Sequence, residues 1–130
     1  MTKAISELII ELQHAQEGDR DLDVAIALLM GYERKKVTVV TDEGNEVRKL
    51  WFRPKRVSPV RVPRYTTSID AARHLCANLV PKCSAGFTWQ PGAATAQIND
   101  GPVGLAFTPA LALCVAALTA KYLMSRAPDV

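Results

Sequence analysis

The residues best suited to chemistry lie between positions 34 and 64, where cationic and aromatic side chains are mixed. This stretch holds ten Lys and Arg residues against three acidic ones, a net charge of +7, whereas the rest of the chain carries −4. Clustered cations attract phosphates, and aromatic rings stack on bases. One hypothesis is therefore that the stretch binds nucleic acid. The alternative is a solvated hairpin and loop that only keep the protein soluble.

The candidate contact residues follow from this hypothesis. Phosphate contacts are predicted for Arg48, Lys49, Arg53, Lys55, Arg56, Arg61 and Arg64. Stacking on bases is predicted for Trp51, Phe52 or Tyr65.

Residues that could support catalysis or metal binding are few and scattered. His14 has no Cys or carboxylate at ligand spacing and His74 is alone on its predicted helix, so both are expected at the surface. The cysteines Cys76, Cys83 and Cys114 form an odd set without Cys-x-x-Cys spacing, as is typical of reduced thiols in a cytoplasmic protein. Glycine-rich phosphate loops and serine nucleophile motifs are not found. We therefore expect a non-enzymatic protein without metal or cofactor.

The length and the apolar segments indicate a single domain over 1–130. A chain of 130 residues buries roughly two-thirds of its unfolded surface, enough for one core. No secretory signal is expected, because Glu7 and Glu11 interrupt the first apolar run. The apolar stretch 105–120 is shorter than the ~20 residues of a membrane span. A cytoplasmic location without membrane association is the resulting expectation.

Two helices are predicted at the start of the chain. Apolar residues recur at helical spacing after Thr2, the candidate cap, and this helix should end near Glu17–Gly18. A second helix should begin after Asp19, a good N-cap, and end at Gly31.

The period then changes to two, which predicts a β-hairpin. Its strands are 35–41 and 46–53, joined by a turn over 42–45. The alternation does not decide which face of the second strand is inward. Pro54, Pro59 and Pro63 make 53–64 an extended loop or an edge segment, since proline lacks the N–H that a central strand needs.

The last half of the chain predicts a helix, a three-stranded meander and a final helix. Thr67 and Asp70 have the spacing of a capping box for the third helix. The meander should have one core face. Phe87 and Trp89 lie on one face of its first run, and Val103, Leu105 and Phe107 point the same way on its last run. Thr108 and Pro109 are suited to start the terminal helix, whose Leu and Ala residues indicate burial on several sides.

The predicted element order is ααββαβββα. Strands joined by tight turns pair antiparallel, and helices on both faces would form three layers. The expected fold is therefore α+β, a three-layer α/β/α sandwich with four helices and one mainly antiparallel sheet of about five strands.

Three segments resemble the phage ABA sandwich family, small domains encoded in phages and prophages. The matching elements are Arg20, Leu22 and Asp23; Tyr65, Thr66, Ser68, Asp70 and Ala71; and Thr108 to Ala112. The chain departs from the family in the loop 80–86, and the basic stretch 33–64 is the least similar part. The resemblance implies an accessory protein whose biochemical role is unknown.

The residues of the family motifs allow two interpretations. Arg20, Asp23 and Asp70 either cap and pair helix starts or form a polar ligand site at helix N-termini, and the structural interpretation is preferred. For function, the preferred hypothesis is a phage-type accessory protein that binds a protein or a small molecule. Nucleic-acid binding is one alternative. Self-assembly through the terminal helix or the Trp faces is another.

Overall fold

A computed structural model describes residues 4–126 of the chain. The helices are α1 (Ile5–His14), α2 (Arg20–Leu29), α3 (Ile69–Leu79) and α4 (Pro109–Arg126). The strands are β1 (Glu33–Thr41), β2 (Gly44–Phe52), β3 (Pro59–Val60), β4 (Ala85–Thr88), β5 (Ala94–Ile98) and β6 (Val103–Ala106). The α+β class and the four predicted helices are confirmed, and β3 is added within the proline-rich segment.

Helix α4 forms the centre of the core. Residues 110–118 are all buried, with β5 and β6 packed on one side and α1 and α3 on others. Backbone approach is close at Gly104 of β6, where an added Cβ would lie 3.0 Å from the carbonyl oxygen of Ala112 and from the backbone nitrogen of Ala116. Only small residues fit such an interface, which explains why α4 is so rich in alanine.

Side-chain caps fix three of the helix starts. The backbone N–H groups of Asp21, Ala71 and Leu111 donate to Asp19 Oδ1, Ser68 Oγ and Thr108 Oγ1, at N···O distances of 2.6, 3.2 and 3.2 Å. The predicted starts at Asp19 and Thr108 are therefore present. Helix α1 has Ala4 as its N-cap, without a side-chain hydrogen bond, and Thr2 lies outside the described residues.

The predicted capping box of α3 is wrong. Ser68, not Thr67, is the N-cap, because residues 65–67 form a preceding turn in which the N–H of Ser68 donates to the carbonyl oxygen of Arg64 at 2.8 Å. Asp70 lies in the first turn and points to solvent, with its carboxylate 3.8 Å from Arg73 Nη2. It therefore complements the helix dipole without closing a box.

The predicted end of α1 at Gly18 is also wrong. The helix ends at His14, and Gly18 lies in the connection to α2 without a left-handed backbone. A Cβ at Gly18 would stand 2.7 Å from the carbonyl oxygen of Thr66. The glycine therefore permits close packing against the turn before α3.

The prediction of one five-stranded sheet between helices is wrong. The strands form two antiparallel sheets, with orders β1-β2-β3 and β4-β5-β6. Charged residues on both faces of β1 and β2 prevent a helix from covering that hairpin, and the proline-rich segment provides only the two-residue edge strand β3. The predicted element types thus give the fold class, but they do not show how the strands are divided between sheets.

The core face of the β4–β6 meander consists mostly of small residues. Ala94, Ala96 and Ala106 are buried, and Ile98 at the end of β5 is the larger buried residue beside them. The large apolar residues expected inside are 38–75% exposed: Phe87, Trp89, Val103, Leu105 and Phe107. Close packing against α4 leaves room for methyl groups and not for rings. Among the described helices, none combines the length and the hydropathy that a membrane crossing requires.

Candidate nucleic-acid interface

The hairpin of β1 and β2, called the arm here, projects from the core. Residues 33–49 are exposed or half-buried on both faces, and only Phe52, at the root, is buried. Strand pairing runs from Glu33 opposite Phe52 to Thr41 opposite Gly44, so a two-residue turn, Asp42–Glu43, closes the tip. Residues directly opposite each other in an antiparallel pair share a face, so this register decides which charges lie together.

One face of the arm contains both carboxylates of its strands, and we call it the paired face. Lys35 Nζ lies 3.3 Å from Glu33 Oε2, and Arg48 Nη2 lies 2.8 Å from Glu46 Oε2. Arg48 also donates from Nε to the same Glu46 oxygen at 3.0 Å. Two cations and two anions leave this face without net charge. Arg48, one of the predicted phosphate contacts, is therefore already paired within the arm.

The opposite face, called the basic face, holds Arg34, Lys36 and Lys49. Lys36 is directly opposite Lys49, and Arg34 is opposite Trp51. The remaining members are neutral: Thr38, Val40, Asn45 and Val47. Within residues 4–126, these three cations form no ion pair. Like charges opposite each other destabilise a ribbon, so the arrangement favours binding of an anion between them.

The aromatic residues at the root serve packing. Trp51 is half-buried against the core, and the guanidinium carbon of Arg34 lies 5.8 Å from its ring centroid. Phe52 and Tyr65 are 8% and 3% exposed, so little of either ring is open for the predicted stacking on a base. Both rings pack at the junction between arm and core, where Tyr65 also lines a cavity.

The segment 53–64 places a second group of cations beside the root. Strand β3 pairs with the end of β2, with Val60 opposite Trp51, so the segment is both the loop and the edge strand that the prolines predict. Lys55 has a left-handed backbone, φ 60°, in the turn where the N–H of Arg56 donates to the carbonyl oxygen of Arg53 at 3.2 Å. All five cations of this segment are exposed: Arg53, Lys55, Arg56, Arg61 and Arg64.

Arg20 and Asp23 belong to a buried polar cluster. The fully buried carboxylate of Asp23 accepts from Thr66 N at 2.8 Å, from Thr66 Oγ1 at 2.6 Å and from Arg20 Nη1 at 2.8 Å. Arg20 also donates to the carbonyl oxygen of Val62 at 3.0 Å. Every buried polar side-chain atom of the described residues has a partner. This cluster ties the start of α2 to the turn before α3.

The three cysteines and His14 are engaged in structural contacts. All three cysteines are free, and Cys114 Sγ donates to the carbonyl oxygen of Tyr65 at 3.2 Å. Burial, followed by the nearby Cys83, raises the pKa of the Cys76 thiol to about 11. His14 Nδ1 donates to the carbonyl oxygen of Ile10 at 2.8 Å. No group of three metal-ligating side chains occurs within residues 4–126.

Sequence reasoning missed Arg34 and Lys36 as candidate contacts. The signal that could have found them is the short turn, because a two-residue connection at Asp42–Glu43 fixes the register of the whole hairpin. The predicted four-residue turn over 42–45 does not define which residue lies opposite each cation. Residues 110–118 of the terminal helix are buried inside the same chain, whereas Leu123 and Met124 near its end are exposed, and self-assembly stays a prediction.

Searches against protein-family models, curated proteins and solved structures return no match to this chain.

Proposed function

We propose that the protein binds duplex DNA through the basic face of the arm. One observation carries the proposal: Lys36 and Lys49 stand opposite each other beside Arg34, on a face without a carboxylate. The carboxylates Glu33 and Glu46 neutralise cations on the other face. A charge that served only solubility would not require this division. A row of cations that remain unpaired suits the phosphate backbone, which dominates nucleic-acid affinity.

A duplex suits this surface better than a single strand. Proteins that bind single strands usually add exposed aromatic rings on which bases stack. Here Phe52 and Tyr65 are buried and Trp51 is covered on one side by Arg34, so stacking contributes little. Phosphate contacts alone favour the polymer with the higher charge density, and that polymer is the duplex.

The tip of the arm limits how the DNA is held. Asp42 and Glu43 form the turn, and their charges would be repelled by phosphates. The root half, with Arg34, Lys36 and Lys49, therefore faces the backbone, while the tip points away. The exposed cations of 53–64 lie on the β3 side of the same root and extend the contact.

The resemblance to phage proteins supports an accessory binding role and leaves the partner undefined. The proposal narrows that role to a binding function and involves no catalysis. A phage-type origin and the capture of a protein or small molecule stay predictions from the sequence.

Fluorescence anisotropy with labelled probes of equal length tests the proposal. We expect binding of duplex DNA at 50 mM salt, weaker binding of single-stranded DNA, and loss of both as salt is raised. Duplex RNA serves as a further probe of backbone geometry. The proposal fails if duplex DNA does not bind at tens of micromolar protein, or if single-stranded DNA binds more tightly than the duplex.

A further inference from the structure

A cavity of about 680 Å³ lies where the arm joins the core. Tyr32 immediately precedes β1 and Arg53 immediately follows β2, and both line the cavity. Helix α3 forms the facing wall with Ala71, His74 and Asn78, which share one side of the helix at i, i+3 and i+7. A volume of roughly 300–1,000 Å³ is the usual range for small-molecule sites.

The charged and ionisable groups of this cavity favour an anion. No Asp or Glu lines it, and its permanently charged side chain is that of Arg53. Arg53 forms no ion pair with the residues that the structure describes. A guanidinium binds carboxylate and phosphate oxygens through two parallel hydrogen bonds, so the group is available to hold an oxyanion.

The two tyrosines supply a neutral donor next to this cation. Burial, followed by a hydrogen bond with the Tyr32 side chain, raises the pKa of Tyr65 well above its ordinary value. A phenol that stays protonated can donate its O–H to an oxyanion, so a tyrosine of this cavity can serve as a donor to the ligand. The side chains of Asn78 and His74 add hydrogen-bonding groups at the opposite wall.

Apolar surface completes the cavity. Met30, Pro54 and Pro63 lie among the lining residues, together with the tyrosine rings. A hydrated inorganic ion would leave this surface unused, whereas a flat organic body would cover it. The walls therefore favour a ligand with an apolar body and a single anionic end.

We propose that this cavity binds a small organic anion, a carboxylate or phosphate monoester on an aromatic or similarly flat body. Arg53 holds the oxyanion, and Met30, Pro54 and Pro63 contact the body. The ligand would bridge both strand ends of the arm and α3. No cation of the basic face lines this site, so the site is tested in the absence of DNA; Arg53 also belongs to the cations of 53–64.

The test uses four small probes and amide chemical shifts of the full chain at constant ionic strength. Benzoate and phenyl phosphate carry the two oxyanions on one ring, benzamide keeps the ring without the charge, and acetate keeps the charge without the ring. We expect saturable shifts at Tyr32, His74 and Asn78 with benzoate or phenyl phosphate, and their relative affinity identifies the preferred oxyanion. Arg53→Gln should abolish them, and Arg56→Gln, an equal charge change in the same loop outside the cavity, should not.

A second variant guards against a misfolded Arg53→Gln protein. Tyr32→Phe retains the ring and should weaken binding about fivefold through the lost hydroxyl. The proposal is overturned if neither ring anion gives saturable shifts at the cavity, if benzamide or acetate binds as tightly as the ring anions, or if Arg56→Gln reduces binding as much as Arg53→Gln.

Discussion

Replacing the two lysines that stand opposite each other on the arm tests whether DNA affinity depends on these phosphate contacts or on the net charge of the protein. In Lys36→Gln/Lys49→Gln, two of the three cations of the basic face are lost. Each phosphate contact contributes about 0.9 to the slope of log affinity against log salt, so the slope for duplex DNA should fall by about 1.8. Over a fourfold rise in salt, from 50 to 200 mM, the wild-type affinity should then drop about 12-fold more than that of the variant.

The matched control is Lys35→Gln/Arg48→Gln, which removes the same charge from the paired face. Those cations are held by Glu33 and Glu46, so their loss should leave the salt slope unchanged. Anisotropy titrations at four or more salt concentrations give both slopes. The reasoning is refuted if the two double variants lower the slope equally, because binding would then depend on net charge and not on the face.

The same variant should also differ in stability, and in the opposite direction to its effect on DNA binding. Like charges directly opposite in a ribbon are unfavourable, and cross-strand pairs are worth about 0.2–1 kcal/mol. The free energy of unfolding of Lys36→Gln/Lys49→Gln should therefore rise by about that amount in urea titrations. A variant that binds DNA more weakly while unfolding less readily cannot owe its defect to misfolding.

Further predictions concern the core. Gly104→Ala should lower the free energy of unfolding by about 1–3 kcal/mol through overpacking against α4, whereas Gly86→Ala, with open space around it, should change it little in the same urea titration. Asp23→Asn should cost about 1.5–3 kcal/mol because it weakens the hydrogen bonds to a buried carboxylate whose cationic partner Arg20 is half exposed, and the exposed Asp70→Asn should be nearly neutral by thermal unfolding. At pH 8, alkylation followed by mass spectrometry should modify Cys83 first, because the two other thiols are buried and their raised pKa values keep them protonated; uniform labelling of all three in the native protein would contradict this.

The helices were predictable because their signals are local. Asp19 and Thr108 cap the helices that they precede, and Pro109 occupies the first position of α4. The continuous apolar run after Pro109 also indicated correctly that α4 would be covered on several sides. Such signals need only a few neighbouring residues, so the fold around them does not alter their meaning.

The wrong predictions concern features that depend on tertiary packing. Alternation placed Val103 and Leu105 on one face, but whether that face is inward depends on how closely α4 approaches, and Gly104 between them sets that distance. Burial of Tyr65 likewise depends on tertiary contacts that no local pattern encodes. Hydrophobicity alone would put the larger residues inside, and here the short helix-to-sheet distance excludes them.

For the candidate interface, too, the sequence predicted some features and not others. Net charge identified the segment that contains the candidate interface, whereas the pairing of Lys36 with Lys49 required the register. A shift of one residue moves every side chain to the other face, so an error of one residue in the predicted turn assigns the cations to the wrong faces. Composition therefore predicted an electrostatic surface but not the residues that form it.

The cluster of Asp23, Arg20 and Thr66 also bears on how this chain tolerates change. Its hydrogen bonds join positions 42–43 residues apart and hold both ends of the segment that contains the arm. With those ends clamped, the closure entropy of the intervening chain grows only with the logarithm of its length. The arm is in this sense an exchangeable module: hairpins of other lengths and charges could be grafted between the same anchors while the α4 core stays intact.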